Sequence, residues 1–100
     1  MNLKHKSPSL KILKLLKVSV PLPLNYKTIS HYILKLHYER ITLHNCLRVL
    51  ERHKLIVNSG RPKNKLYQIT PKGLNYLYKL EIKSDIEKLQ NYLLRTGDTL

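Results

Sequence analysis

Apolar residues recur at helical spacing along four stretches of the chain and at strand spacing along two. In the first stretch Leu10, Leu13 and Leu16 return every third position, and Ile12 and Leu15 widen the stripe. Lys11, Lys14 and Lys17 form the opposite face, which predicts an amphipathic helix capped by Ser9 and running to about Val18. Pro21 and Pro23 in VPLPL end it, because each disfavours α geometry in the residue before it. Asn25 is then an N-cap for a second helix, Tyr26 to about Leu36, with Ile29, Tyr32, Ile33 and Leu36 on its inner side.

A third helix is predicted from about Glu39 to His53. Leu43, Cys46, Leu47 and Leu50, with the stem of Lys54, face inward, while Arg40, Thr42, His44, Asn45, Arg48 and Arg52 face outward. The joining segment KLHYE lacks the glycine that commonly ends a helix. Leu55–Ser59 and Lys65–Thr70 then read as two strands, with Tyr67 and Ile69 two apart on one face. Between them Gly60, Arg61, Pro62, Lys63 and Asn64 form a basic hairpin loop. Thr70 followed by Pro71 is a strong start signal: a side-chain cap, then a fixed φ at the first helical position. The last helix extends to about Arg95, with Gly97 as its stop, and would be about 37 Å long. Leu74, Leu77, Tyr78, Ile82, Ile86, Leu89 and Leu93 are expected along one of its sides, with Tyr92 at the edge.

Charge changes the picture from a small helical domain to a ligand of polyanions. The chain of 100 residues carries 19 Lys and Arg against 6 Asp and Glu, a net charge of +13. Of these, Glu39 and Glu51 are the sole acids within residues 1–70, so nearly all the excess lies there. The last thirty residues balance Glu81, Asp85, Glu87 and Asp98 against Lys72, Lys79, Lys83, Lys88 and Arg95. The first two-thirds therefore face a polyanion, and the final helix faces something else.

Other chemistry is poorly supplied. Cys46 is the single cysteine, so no internal disulfide forms, and a small buried side chain explains it better than a redox sensor. The histidines 5, 31, 37, 44 and 53 lack zinc-ligand spacing, so no metal or other cofactor is expected. No paired carboxylates, nucleophile motif or phosphate-binding glycine loop occurs, so an enzyme is not expected, nor is a small-molecule ligand evident. Lysines interrupt every apolar run near the N-terminus, which excludes a signal-peptide core. No run of about 18 apolar residues is present, so no membrane span is expected and the location is cytoplasmic.

Three stretches together resemble the winged helix-turn-helix family of DNA-binding proteins. YKTISHYI is similar to the first helix of the helix-turn-helix unit. ITLHNCLRVLERHKLI is similar to a recognition helix running into the first wing strand. LYQITPKGLNYL resembles the wing end of small archaeal and archaeal-virus regulators. The resemblance spans residues 10–80 and implies a mainly α (α+β) fold: a three-helix core, a β-hairpin wing and a long C-terminal helix.

The organisation expected is a frayed arm over 1–8, a winged domain over 9–70, a dimerisation helix over 71–96 and a tail over 97–100. Helix 39–53 would enter the major groove of double-stranded DNA, its Arg40, Thr42, His44 and Asn45 reaching bases and Arg48 reaching bases or phosphate. The resemblance places wing 58–66 at the minor groove, with Arg61, Lys63 and Lys65 as contacts. Lys27 and Lys35 would meet phosphate or only solvent. The apolar positions Leu74 to Leu93 of the last helix would join a homodimer. The function expected is sequence-specific DNA binding by a transcriptional regulator, in a host cytoplasm if the source is a virus. Rival readings are a chromatin-type binder without sequence preference, a winged-helix module that docks protein, and a membrane-surface role for the first helix.

Overall fold

The computed structural model describes residues 7–96. Seven elements follow in chain order: α1 (Pro8–Ser19), β1 (Leu24–Asn25), α2 (Tyr26–Lys35), α3 (Arg40–Arg52), β2 (Ile56–Asn58), β3 (Leu66–Ile69) and α4 (Pro71–Thr96). The helices α1 to α3 pack around Leu10, Ile12, Leu13, Leu16, Ile29, Ile33, Leu43, Leu47 and Leu50, all buried. Burying one such side chain stabilises the fold by about 1.5–3 kcal/mol. The lysine-interrupted stripe of α1 is thus spent on the core, not on a membrane surface. Cys46 is half-buried against the same cluster.

The start of α1 differs from the expectation. Ser7, not Ser9, is the N-cap: its hydroxyl accepts the Leu10 N–H at 3.2 Å, and Pro8 holds the first helical turn. Ser9 instead is buried. Of the expected N-terminal arm, residues 7 and 8 therefore belong to the helix start, and residues 1–6 lie outside the described residues. The same holds for Gly97 and the tail.

Asn25 caps α2 as its position suggested, accepting the Thr28 N–H at 2.8 Å. It also belongs to a short strand that the apolar pattern did not reveal. β1 pairs antiparallel with β3, Leu24 facing Tyr67 and Asn25 facing Leu66, so the hairpin is the larger part of a three-stranded sheet in the order β1-β3-β2. Gln68 on β3 donates to the Pro21 carbonyl at 2.9 Å and ties the proline segment to the sheet.

The KLHYE turn is closed without a glycine. His37 adopts φ 69, the left-handed region. Its N–H donates to the Leu34 carbonyl at 3.0 Å, and the Tyr38 N–H donates to the Ile33 carbonyl at 3.4 Å. This pair of bonds is a Schellman C-cap. The end of α3 repeats it: Lys54 has φ 60, its N–H reaches the Glu51 carbonyl at 3.0 Å, and the Leu55 N–H reaches the Leu50 carbonyl at 3.0 Å. The Lys54 side chain is exposed, so its stem is not part of the inner face.

Leu55 then meets the start of α4. The Thr70 N–H donates to the Leu55 carbonyl at 3.0 Å, and the Thr70 hydroxyl donates to the Lys54 carbonyl at 2.6 Å. The same hydroxyl oxygen accepts the Gly73 N–H at 3.0 Å and caps α4. Gly73 is needed here, because a Cβ at that position would run into the Leu55 carbonyl oxygen and Cγ1 of Ile69.

The boundary expected at 70/71 divides elements but not the core. Leu77 of α4 is fully buried with the rest, and Leu80 packs against it. Leu77 is therefore unavailable to a second chain, and its place among the dimer positions is withdrawn. The apolar residues of α4 do not share one side either. At about 100° per residue, Gly73, Leu77 and Leu80 point to the core while Ile82, Ile86, Leu89 and Leu93 point the opposite way. The latter four are exposed, as is every residue from Asp85 to Arg95.

Two substitutions at the α3–α4 junction should act in opposite directions. Gly73→Ala should lower the unfolding free energy by about 1–3 kcal/mol, as expected for overpacking against backbone. Lys54→Gly should raise it by about 0.5–1 kcal/mol, since glycine meets no penalty in the left-handed region but loses more freedom on folding. Urea unfolding followed by circular dichroism measures both.

Candidate nucleic-acid interface

The wing is built by its own side chains. The Asn58 Oδ1 accepts both the Gly60 N–H and the Leu66 N–H, each at 3.0 Å, closing the base of the loop. At its tip the Asn64 N–H donates to the Arg61 carbonyl at 3.0 Å and the Arg61 N–H to the Asn64 carbonyl at 3.1 Å. Pro62 thus occupies the second position of a tight turn, where its fixed φ is favourable. A Cβ on Gly60 would strike the backbone of Asn64 and Leu66, so the chain crosses itself too closely there for any other residue. Arg61, Lys63 and Lys65 are all exposed around this tip.

On α3, Arg40, His44, Asn45 and Arg48 are exposed and Thr42 is half-buried. Arg40 opens the helix, so these side chains occupy its first two to three turns. Lys27 at the start of α2 and Lys35 in its last turn are exposed. Lys17 is engaged elsewhere: its Nζ lies 3.5 Å from Glu81 on α4, a partly exposed pair of small energetic weight.

The helix and wing positions meet at one place. A cleft of about 270 Å³ is lined by Tyr26, His44, Pro62, Lys63, Lys65 and Tyr67. His44 from α3 and Lys63 and Lys65 from the wing thus share one wall system, with two ammonium groups beside it. Asn45, Arg48, Thr42 and Arg40 stand on the helix outside this cleft, and Arg61 at the wing tip does not line it. Lys27 and Lys35 do not line it either.

Tyr26 is the residue that sequence reasoning passed over. Its ring stacks on His44, with centroids 5.2 Å apart and planes at 29°. Its hydroxyl lies 3.0 Å from His44 Nε2. Nothing in the spacing of positions 26 and 44 announces the pair, which forms through the packing of α2 on α3.

Tyr67 forms the floor. It is buried, and burial raises its hydroxyl pKa above the usual 10.0, with the negative charge of Glu51 and the neighbouring Tyr26 adding to the effect. The neutral phenol is the form the fold accommodates. Among the described residues no group of three or more His, Cys, Asp or Glu is placed to hold a metal ion. No described helix is long and apolar enough to cross a membrane.

Three helices with a β-hairpin wing and an extended final helix define a winged helix-turn-helix fold, mainly α with a small antiparallel sheet. Solved structures share it. The PcaV transcriptional regulator from Streptomyces coelicolor, in complex with its natural ligand, superposes with a TM-score of 0.65 at 22% identity. The match covers 91% of this chain and 62% of that one. A second PcaV structure gives 0.64 at 18% identity, covering 94% and 77%. The smu.1704 protein from Streptococcus mutans UA159 gives 0.61 at 19% identity and covers 98% of both chains. At these identities the likeness is one of fold. Neither source is an archaeon or an archaeal virus, so the fold likeness extends beyond the group that the wing motif resembles. No protein-family model matches the chain, and no curated protein sequence does.

The Tyr67 environment makes a prediction about alkaline pH. The native pKa lies above the unfolded one, so the contribution to stability is complete below about pH 10 and is lost as pH rises through the native value. Absorbance at 295 nm should show a late tyrosine step from Tyr67, above the usual phenol range. Tyr67→Phe should abolish that late step and flatten the fall in stability above pH 10.

Proposed function

We propose that this chain is a double-stranded DNA-binding transcriptional regulator that acts as a homodimer. The observation that carries the reading is the shared cleft. It brings His44 of α3 beside Lys63 and Lys65 of the wing, so that helix and wing can address one duplex together. In this reading α3 lies in the major groove, with Arg40, Thr42, His44, Asn45 and Arg48 toward base edges. Arg61, Lys63 and Lys65 of the wing lie along the minor groove. Lys27 and Lys35 meet phosphate and set position without reading sequence. The small archaeal or archaeal-virus regulators remain the sequences that the wing motif resembles, and a cytoplasmic location suits that role. The naming of PcaV as a transcriptional regulator supports the same class.

The dimer reading rests on α4. Ile82, Ile86, Leu89 and Leu93 form an exposed stripe turned away from the domain, flanked by Leu74 and Tyr78, both exposed. Solvent-facing leucine and isoleucine at 4-3-4 spacing are the signature of a helix that packs on another. The charges around it nearly cancel, so a second copy can approach.

Selection of bound duplexes from a random pool tests the DNA reading. A regulator should prefer its site about 10³-fold or more over random duplex. Binding without enrichment would instead mark a chromatin-type protein, and no binding at moderate salt would mark a protein-docking module. Arg61→Ala with Lys63→Ala should weaken all sequences alike and make the slope of log K against log salt shallower by up to about 2. Asn45→Ala should relax preference at one base pair by about 1–3 kcal/mol while other positions hold.

Sedimentation equilibrium tests the second half. The wild-type chain should be dimeric at micromolar concentration, and Ile86→Glu with Leu89→Glu should be monomeric with unchanged helix content. A wild-type protein that stays monomeric at high micromolar concentration would end the dimer reading.

A further inference from the structure

Tyr26 stands at the first position of α2, directly after its cap, and is half-buried against the core. From there its ring lies over His44 and its hydroxyl reaches His44 Nε2 at 3.0 Å. Two senses of that bond are chemically open: the phenol donates to a bare Nε2, or a protonated Nε2 donates to the phenol oxygen. They are not equal. A phenol is a far stronger acid than the N–H of neutral imidazole, and a bare imidazole nitrogen is a far stronger base than a phenol oxygen. The favoured sense is O–H to Nε2. A neutral imidazole carries a single ring proton, and the bond made at one nitrogen fixes where that proton sits. With Nε2 accepting, the proton is on Nδ1.

His44 is itself exposed, and Nδ1 has no hydrogen-bond partner among the described residues. It lies in the second turn of α3, the part of a recognition helix that reaches base edges. We propose that Tyr26 sets the specificity of His44 by holding it as the Nδ1–H tautomer, a hydrogen-bond donor toward an acceptor on a base edge: a purine N7, guanine O6 or thymine O4. The inference rests on the DNA-binding reading. Cytosine presents only the N4 donor in the major groove, so it is the base that a donor on Nδ1 rejects. The opposite tautomer would reverse that preference. Tyr26 is a positioning residue: it touches no base, and its stacked ring also limits the rotamers that His44 must give up on binding.

Two measurements with Tyr26→Phe test this, since phenylalanine keeps the ring and the stack but not the hydroxyl. The first is a long-range ¹H–¹⁵N correlation of the His44 ring in the free protein at pH 8, assigned by the signals missing from His44→Gln. The wild type should show Nδ1–H, and Tyr26→Phe should move the population toward Nε2–H. An Nε2–H wild type overturns the proposal whatever the DNA result. The second is selection from random duplexes. Tyr26→Phe should lose about fivefold to tenfold of the discrimination against cytosine at one position per half-site, the value of a single hydrogen bond, and keep the rest of the site. An unchanged base preference with uniformly weaker binding overturns it by assigning Tyr26 a purely structural role. A wild-type pool with no enriched sequence defeats the proposed function, and the base assignment with it, while the ring measurement still reports the tautomer by itself.

Discussion

Two consecutive carbonyls, those of Lys54 and Leu55, hold the molecule's working parts in register. The Lys54 carbonyl accepts the Thr70 hydroxyl, and the Leu55 carbonyl accepts the Thr70 N–H. Gly73 then lets α4 pass directly over the Leu55 carbonyl. Four elements end or begin within this node: α3 closes on Lys54, β2 leaves from Leu55, β3 arrives at Thr70 and α4 starts at Pro71. Its bonds are mostly backbone to backbone or backbone to a short side chain, so they hold position tightly. The angle between the exposed face of α3 and the wing is set here. So is the direction in which α4 leaves the domain.

That direction gives α4 two separate tasks. Its first three turns carry Leu77 and Leu80 into the core shared with α1. From Leu77 to Ile82 is five residues, a rotation of roughly 140° beyond a full turn. The apolar stripe that continues through Ile86, Leu89 and Leu93 therefore emerges on the far side. Had those residues followed Leu77 in phase, they would have run along the helix past the end of the domain on its inner side. Being out of phase, they present an apolar surface that the domain cannot cover by bending toward it.

Much of the fold was legible because its signals are local. A cap acts over three residues, so Asn25 and Thr70-Pro71 could be read directly, and the inner faces of α2 and α3 followed from periodicity. What escaped the sequence was of two kinds. Some features are fixed by residues far away: β1 is two residues long and exists through Leu66 and Tyr67, and Tyr26 finds His44 only when α2 packs on α3. Others break a local rule at a cost met elsewhere. His37 and Lys54 sit in the left-handed region where glycine is expected. In each case the C-cap bonds and the burial of Leu55, or the packing of Tyr38, outweigh about 1–2 kcal/mol of strain. The phase slip in α4 belongs with these, since apolar residues at steps of three and four look continuous until the five-residue step is noticed.

The division of charge follows the same architecture. Repulsion between two copies at net +13 each would oppose association unless contact is confined to where the charge is low. Beyond Ser84 the described part of α4 carries Asp85 and Glu87 against Lys88 and Arg95, a balance of zero. The wing and α3 lie at the other end of the domain's charge distribution, where the sole acids before residue 71 are Glu39 and Glu51. In the proposed dimer the helices would meet where Coulomb repulsion is weakest and hold the cationic faces apart, far enough for a Debye length of about 8 Å to screen one from the other. In that dimer a duplex would supply the counter-charge for both at once. The proposed dimer stripe and the wing would then be related through α4, which leaves the domain where Thr70 and Gly73 meet Leu55.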